Sequence, residues 1–351
     1  MSGQQQRAAT PETEGPLLSV QGLTVEFETE QGPLRAVDDV SFDVGHGETV
    51  CIVGESGSGK TVTAETITKL IPMPPGRILD GTVDLDGRNL LDLSERQLRA
   101  IRGDRIAHVF QNPQDALNHC FTVGWQIREA IQTHEDVGKR AARERAITLL
   151  DRVGIPDATS RYDEYPHEFS GGMRPRVVVA MALASNPDLL VADEPTTALD
   201  VTIQAQLLDL LEEIQDEFGM SILLITHDLG VVAELADRVV VMYAGRVMER
   251  GGVYDVFDAP AHPYTMAMFD CLPGRGRDLR TIEGTLPDLR DPPAGCRFAS
   301  RCDFAREECR RGPQPPLYDL GNGQDASCVY YGPDGDPEVL RNGLEGGETD
   351  E

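Results

Sequence analysis

Gly54-Glu55-Ser56-Gly57-Ser58-Gly59-Lys60-Thr61 satisfies every fixed position of the pattern G-x-x-x-x-G-K-[ST]. The run before it, Thr49-Val50-Cys51-Ile52-Val53, is short, apolar and β-branched, and Thr61 to Leu70 after it reads as a helix. A strand–loop–helix is the setting in which such a loop cradles phosphate. Its glycines let successive N–H groups turn inward, and the helix start adds free donors and a positive dipole end. Lys60 supplies a charge for the β- and γ-phosphates, and Thr61 a hydroxyl for Mg²⁺. A glycine-rich turn with a surface lysine would not need both flanking elements.

The 351 residues suffice for one large α/β domain with a smaller appendage. A net charge of −27 argues against sequence-independent nucleic-acid binding, which needs Lys and Arg on phosphates. The lysines are Lys60, Lys69 and Lys139 alone. So acidic and lysine-poor a chain suggests a halophilic setting, a cytoplasm at molar salt, where the Debye length falls to about 3 Å and self-repulsion is screened. A merely acidic protein of ordinary salt is the alternative. No run approaches the ~18 apolar residues of a membrane span. Met1 to Gly15 lacks the basic-then-apolar order of a signal peptide and reads as a disordered lead. The expectation is a soluble intracellular protein that meets membranes only through partners.

Leu17–Phe27 and Leu34–Val44 read as strands joined by a polar turn, an antiparallel layer beside the nucleotide. Phe27 on that layer either stacks on a base or belongs to the core. Gly81–Gly87 and Arg105–Phe110 read as further strands, the latter ending at Gln111. Residues 112–169 turn helical in period and are expected as a separate lobe, with Trp125 in its core. Then strands at Asp188–Ala192, Ser221–Thr226, Arg238–Met242 and Arg246–Glu249 alternate with helices at Val201–Phe218 and Leu229–Leu235. That alternation predicts a parallel sheet covered on both faces. Beyond Leu272-Pro273-Gly274 the composition shifts to Pro, Gly, Arg and Cys, which places the body at 16–272 and a Cys-rich module at 273–330. The acidic, glycine-rich stretch 331–351 reads as a disordered tail.

Three further stretches carry chemistry. Leu189-Leu190-Val191-Ala192 delivers Asp193, a candidate Mg²⁺ ligand, and Glu194, placed to polarise a water for in-line attack on a γ-phosphate. Ser170-Gly171-Gly172 opens a helix running to about Ala184, with Ser170 as its cap, and forms an anion site of free N–H groups. His227 ends the strand Ser221–Thr226, on the ligand side of a parallel sheet. Alone, each also fits a strand end, a capped helix or a structural histidine; the loop at Gly54–Thr61 makes them a set.

In this order the residues resemble the ATP-binding subunits of ABC transporters. Gly54–Thr61 matches the Walker A motif, Gln111 the Q-loop, Ser170-Gly171-Gly172 the signature, Asp193-Glu194 the Walker B pair, Ala198-Leu199-Asp200 the D-loop, and His227 the switch histidine. Phe27 matches the adenine-stacking aromatic. Phe110-Gln111-Asn112-Pro113, Glu194-Pro195-Thr196-Thr197, His262-Pro263-Tyr264-Thr265 and Gly295-Cys296-Arg297-Phe298 narrow the resemblance to the oligopeptide/dipeptide importer branch. The implied fold is a P-loop NTPase of ABC ATPase type, α/β, with an antiparallel β subdomain, a helical subdomain and a small Cys-rich C-terminal module. The resemblance implies ATP and Mg²⁺, the latter near Thr61, Gln111 and Asp193. It implies a second ABC ATPase subunit, identical or not, whose Ser170–Gly172 touches the γ-phosphate held by Gly54–Thr61. Two membrane permease subunits and an external substrate-binding protein complete the implied importer, with this chain peripheral on the cytoplasmic face. Pro175 stands where the family usually has Gln, which puts the signature helix in question, and His119 stands where the branch often has Pro.

The chain has seven cysteines, an odd count that argues against a disulfide framework. Cys51 reads as core; Cys120 and Cys271 have no evident partners. Cys296, Cys302, Cys309 and Cys328 cluster beyond Pro273, where a metal staple would substitute for an apolar core. They lack the C-x₂₋₄-C pairs usual for structural zinc, while iron–sulfur clusters tolerate varied spacing. The resemblance favours a [4Fe–4S] cluster; zinc and free thiols stay open. The leading expectation is an ATPase powering di- or oligopeptide import. Another cargo such as nickel or an oligosaccharide, a soluble ABC ATPase outside transport, and a metal-sensing regulatory subunit are the alternatives.

Overall fold

In the computed structural model of the chain, residues 15–197, 199–271 and 282–345 are described. The lead 1–14, Ala198 of the D-loop match, the boundary at 272–274 and the end of the tail, 346–351, lie outside the described residues.

Alternating apolar and polar residues make an antiparallel hairpin of β1 (Leu18–Thr29) and β2 (Gly32–Val44). Leu18 and Val20 point inward at one parity, Leu23 and Val25 at the other; the register shifts between them, at Gly22 with φ 60°. A bulge at a left-handed glycine re-aims the strand without exposing its apolar set. β3 (Thr49–Val53) leads into α1 (Lys60–Ile67). β4 (Gly76–Leu85) and β5 (Arg88–Asn89) then complete a four-stranded layer in the order β2-β1-β4-β5.

After α2 (Glu95–Arg99), β6 (Ile106–Val109) enters a second sheet. Then α3 (Val123–His134), α4 (Lys139–Arg152) and α5 (Ala158–Arg161) run before α6 (Met173–Ala182). Their inward residues, among them Ile127, Ile131, Ala146 and Leu150, share one apolar cluster with Val177, Val179 and Leu183. Trp125, expected in this core, is only half-buried; it lies against exposed Phe121, ring centroids 4.1 Å apart and planes 16° apart.

β7 (Leu189–Asp193), α7 (Val201–Phe218), β8 (Ser221–Thr226), α8 (Leu229–Leu235), β9 (Arg238–Tyr243) and β10 (Arg246–Gly252) follow. β9-β3-β8-β7-β6 are parallel neighbours. Every residue of β3, β7 and β8 is buried, as sheets covered on both faces require. Parallel pairing puts the carboxyl ends of β3, β6, β7 and β8 along one sheet edge.

α9 (Val253–Asp258) and α10 (Pro263–Asp270) precede the cysteine-bearing segment, which adds α11 (Glu307–Arg311), β11 (Tyr318–Asp319) and β12 (Asp325–Ala326). This segment does not stand apart as the composition shift suggested. β12 pairs with β10 through Glu249↔Ala326 and Arg250↔Asp325, so the main sheet runs on into it. Cys296, Phe298, Ala299 and Cys309 join the same apolar cluster as β3 and α7. The tail, read as disordered from 331, instead carries α12 (Glu338–Glu345), whose Leu340 is fully buried beside Met266, Cys328 and Tyr330. Among the described residues no helix is long and apolar enough to cross a membrane.

Candidate functional site

The loop after β3 needs glycine for steric reasons at two points. A Cβ on Gly54, φ 152°, would stand 2.0 Å from the Met242 carbonyl oxygen. One on Gly59, φ 100°, would stand 2.4 Å from that of Ala36. Gly59 caps α1, and Ser56 and Gly57 face solvent at the crest. The Lys60 ammonium is buried and donates to the carbonyls of Gly54 at 2.8 Å and Glu55 at 3.0 Å. Burial lowers its pKa, against the opposing pull of Glu194, Asp193 and Glu55. The Ser58 hydroxyl is buried with no hydrogen-bond partner among the described residues.

Asp193 closes β7 beside this loop. Burial raises its pKa, while a hydrogen bond from the Thr61 hydroxyl works the other way. Its Oδ1 is buried and has no partner among the described residues. An orphaned carboxylate oxygen next to a threonine hydroxyl and a phosphate loop fits a hard divalent cation, so Thr61 and Asp193 suit Mg²⁺.

Glu194 is the hub of the site. Gln111 Nε2 and Thr197 Oγ1 each donate to its Oε2 at 2.9 Å, and His227 Nδ1 lies 2.9 Å from its Oε1. Burial opposes ionisation, but the hydrogen bonds from His227, Thr197 and Gln111 outweigh it and hold the carboxyl below its usual range. The backbone of Glu194 is left-handed, φ 45°, a strained conformation for a side-chain-bearing residue, and its N–H donates to Ile225 O at 2.8 Å. Three strand ends thus converge: β6 brings Gln111, β7 Asp193 and Glu194, β8 His227.

Two expected members stand outside this hydrogen-bonded group. Phe27 is half-buried on β1, paired with Leu34 of β2 and Gly76 of β4. Ser170 does not cap α6 as read from its sequence. The helix starts at Met173 with Gly172 as cap, and the carbonyl of Ser170 accepts from Met173 and Arg174. Ser170 and Gly171 are exposed, whereas Gly172 abuts α7, where a Cβ would meet Ile203 at 2.6 Å. Pro175 falls in the first turn of α6, where no intrahelical bond needs its missing N–H, so it leaves the helix intact.

Thr197, Tyr264 and Arg301 also touch this site, Thr197 through Glu194 and the other two through Glu55. The Tyr264 hydroxyl accepts from Glu55 N at 3.0 Å, and Arg301 pairs with the Glu55 carboxylate. Thr197 and Tyr264 sit inside quoted motifs; Arg301 had no local signal beyond its neighbour Cys302.

Cys296, Cys302, Cys309 and Cys328 line one small cavity, with room of only about 10 Å³ for a water-sized sphere. Burial pushes the Cys296 thiol up to about 11 and those of Cys302 and Cys328 to about 12. Cys296, Cys302 and Cys328 are thus reluctant to ionise unless a cation offsets the charge. Among the described residues, however, no three His, Cys, Asp or Glu side chains are gathered to hold one metal ion. That arrangement supports neither the iron–sulfur nor the zinc expectation.

The chain matches the family model "ABC transporter" over residues 37–197 and "Oligopeptide/dipeptide transporter, C-terminal region" over 248–309. It is 48% identical to the dipeptide transport ATP-binding protein DppD of Escherichia coli (strain K12), covering 90% of this chain and 96% of that one. It is 49% identical to the oligopeptide transport ATP-binding protein OppD of Bacillus subtilis (strain 168), covering 87% and 86%. Its fold is similar to the ATP-binding cassette MJ0796, solved as a dimer in a post-hydrolysis state with ADP and Pi. The TM-score is 0.60 at 27% identity, over 67% of this chain and 98% of that one. The chain therefore belongs to the ATP-binding subunits of ABC transporters, in their oligopeptide/dipeptide branch.

Proposed function

We propose that this chain hydrolyses ATP to power import of di- or oligopeptides through a membrane permease. The observation that carries the reading is Glu194, ionised and aimed by Gln111, Thr197 and His227 beside the Gly54–Thr61 loop. The amides of Glu55 to Thr61 and the Lys60 ammonium bind the phosphates, and Phe27 stacks on the base. Thr61 and Asp193, with Gln111 near, would hold Mg²⁺, which would supply charge neutralisation and Lewis acidity at the phosphates. Glu194 takes the proton of the attacking water, and His227 keeps its carboxylate oriented. Exposed Ser170 and Gly171, with Gly172, serve the nucleotide of a second subunit, so catalysis belongs to a pair. Residues 16–272 form the ATPase body, with 112–169 as the lobe that meets two permease subunits, and an external binding protein delivers cargo. Through the permease the chain sits peripherally on the cytoplasmic face. The charge of −27 supports work at high salt.

Within residues 273–330 the four cysteines are assigned to a [4Fe–4S] cluster. What supports this reading is that the four thiols line one cavity, and each iron of such a cluster takes one thiolate. Glu194→Gln tests the ATPase reading: it should bind ATP and form a stable dimer without turnover. Hydrolysis persisting above a hundredth of the parent rate would overturn the assignment of the base. An absorption spectrum of anaerobically purified protein with no iron–sulfur charge-transfer band would overturn the cluster.

A further inference from the structure

On the reading of Gly54–Thr61 as an ATP loop, we infer that Arg301 is a positioning residue for this nucleotide. It acts through Glu55, whose charge it neutralises and whose backbone it fixes. Glu55 lies within the phosphate loop, where a free carboxylate would repel a polyphosphate. The Arg301 side chain is only 5% exposed, and its Nη1 lies 3.0 Å from both Glu55 carboxylate oxygens. The guanidinium is itself fixed: Nη1 donates to the Tyr243 hydroxyl at 3.1 Å, Nε to Glu283 O at 2.8 Å and Nη2 to Ile282 O at 3.1 Å. A fork held by these acceptors loses little freedom when it pairs with a carboxylate.

The pair reaches the reacting region by a short route. The Glu55 carbonyl accepts from Lys60 Nζ, and its N–H donates to the Tyr264 hydroxyl. Tyr264, Tyr243 and Phe298 form a ring cluster, with centroids 4.7 to 5.3 Å apart. The carboxylate that Arg301 holds and the carbonyl that holds the phosphate-binding lysine thus belong to one residue.

The other end of the loop is tied to the same segment. Arg297, 4% exposed, pairs with Asp38 and donates to Ala244 O. Asp38 N donates to Gly245 O and Gly245 N to Ser58 O, each at 2.8 Å. The stretch from Cys296 to Cys302 thus grips the phosphate loop at Glu55 and, through the Ala244–Gly245 turn, at Ser58. Burial is the larger influence on the Arg301 pKa and lowers it, yet Tyr243 and Glu55 together keep it raised, so the guanidinium stays charged.

The test is a double-mutant cycle in the full chain, reading Mg·ATP affinity by titration of a fluorescent ATP analogue, and KM and kcat by phosphate release. Arg301→Met should weaken nucleotide binding about tenfold, raise KM similarly, and leave kcat within about threefold. Adding Glu55→Gln to Arg301→Met should recover most of the affinity, because it removes the unpaired carboxylate. Arg301→Lys should fall between the parent and Arg301→Met, with a melting temperature close to the parent's. Affinity unchanged in Arg301→Met would overturn the inference. So would losses that multiply in the double variant, as expected if Arg301 merely stabilised its own segment. A parent chain that failed to bind the analogue would instead overturn the ATP reading itself.

Discussion

His227 Nδ1 lies 2.9 Å from Glu194 Oε1, which ties the end of β8 to the end of β7 through a carboxylate already bonded to Gln111 and Thr197. Glu194 serves as base only when ionised, and its pKa is depressed, so activity falls only as pH drops below the usual carboxylate range, about 4. His227→Ala removes one of the three bonds that outweigh burial. The Glu194 pKa then rises, and the acid limb of the rate profile moves to higher pH. ATP hydrolysis measured from about pH 3 to 8 should show that shift together with a loss of about a hundredfold in turnover. An unmoved acid limb would count against this coupling.

Exposure of Ser170 and Gly171 at the start of α6 sets a second expectation. Gly171→Arg places a bulky cation where the second subunit's nucleotide should approach. In the Glu194→Gln background it should abolish ATP-dependent dimerisation, read by light scattering, while a single chain still binds ATP within about threefold of the parent. Retained dimerisation would mean the pair forms by another face.

Glu249 on β10 is fully buried and accepts from Ala261 N at 2.8 Å, His262 N at 2.7 Å and Gln324 Nε2 at 2.7 Å. Its neighbour His262 is held neutral, pushed by burial to about 3. Burial raises the Glu249 pKa against those hydrogen bonds. In the window above about pH 4 and up to that raised value, the folded chain holds a proton the unfolded chain has lost. This residue's contribution to stability therefore declines as pH climbs through the window. Glu249→Gln should flatten the pH dependence of the melting temperature between pH 5 and 8. Glu249→Ala, which strands three buried donors, should cost about 3 kcal/mol at pH 5, measured by urea unfolding, and less as pH rises.

The nucleotide site was legible where its residues are contiguous or end an apolar strand. Gly54–Thr61 declares its own geometry, and Gln111, Asp193, Glu194 and His227 each follow a largely apolar strand whose parallel pairing carries them to one edge. The contacts of Tyr264 and Arg301 with Glu55 span 209 and 246 positions, and no periodicity registers a partner at that distance. β11 and β12 are two residues each, too short to show alternation, so the joining of the cysteine segment to the main sheet was hidden. Ser170 misled because a serine before two glycines has the chemistry of a cap. The helix begins later because Gly172, pressed against Ile203, is the last residue before the regular turns.

The pairing of β12 with β10 decides how this chain can be cut. A fragment ended at the apparent linker near residue 272 would lose the strand that covers β10 and the Gln324 amide that helps satisfy Glu249. Bare strand edges recruit other edges, so such a fragment is a candidate for aggregation rather than a minimal soluble ATPase. Expression trials that trim the molecule should keep everything through Leu340.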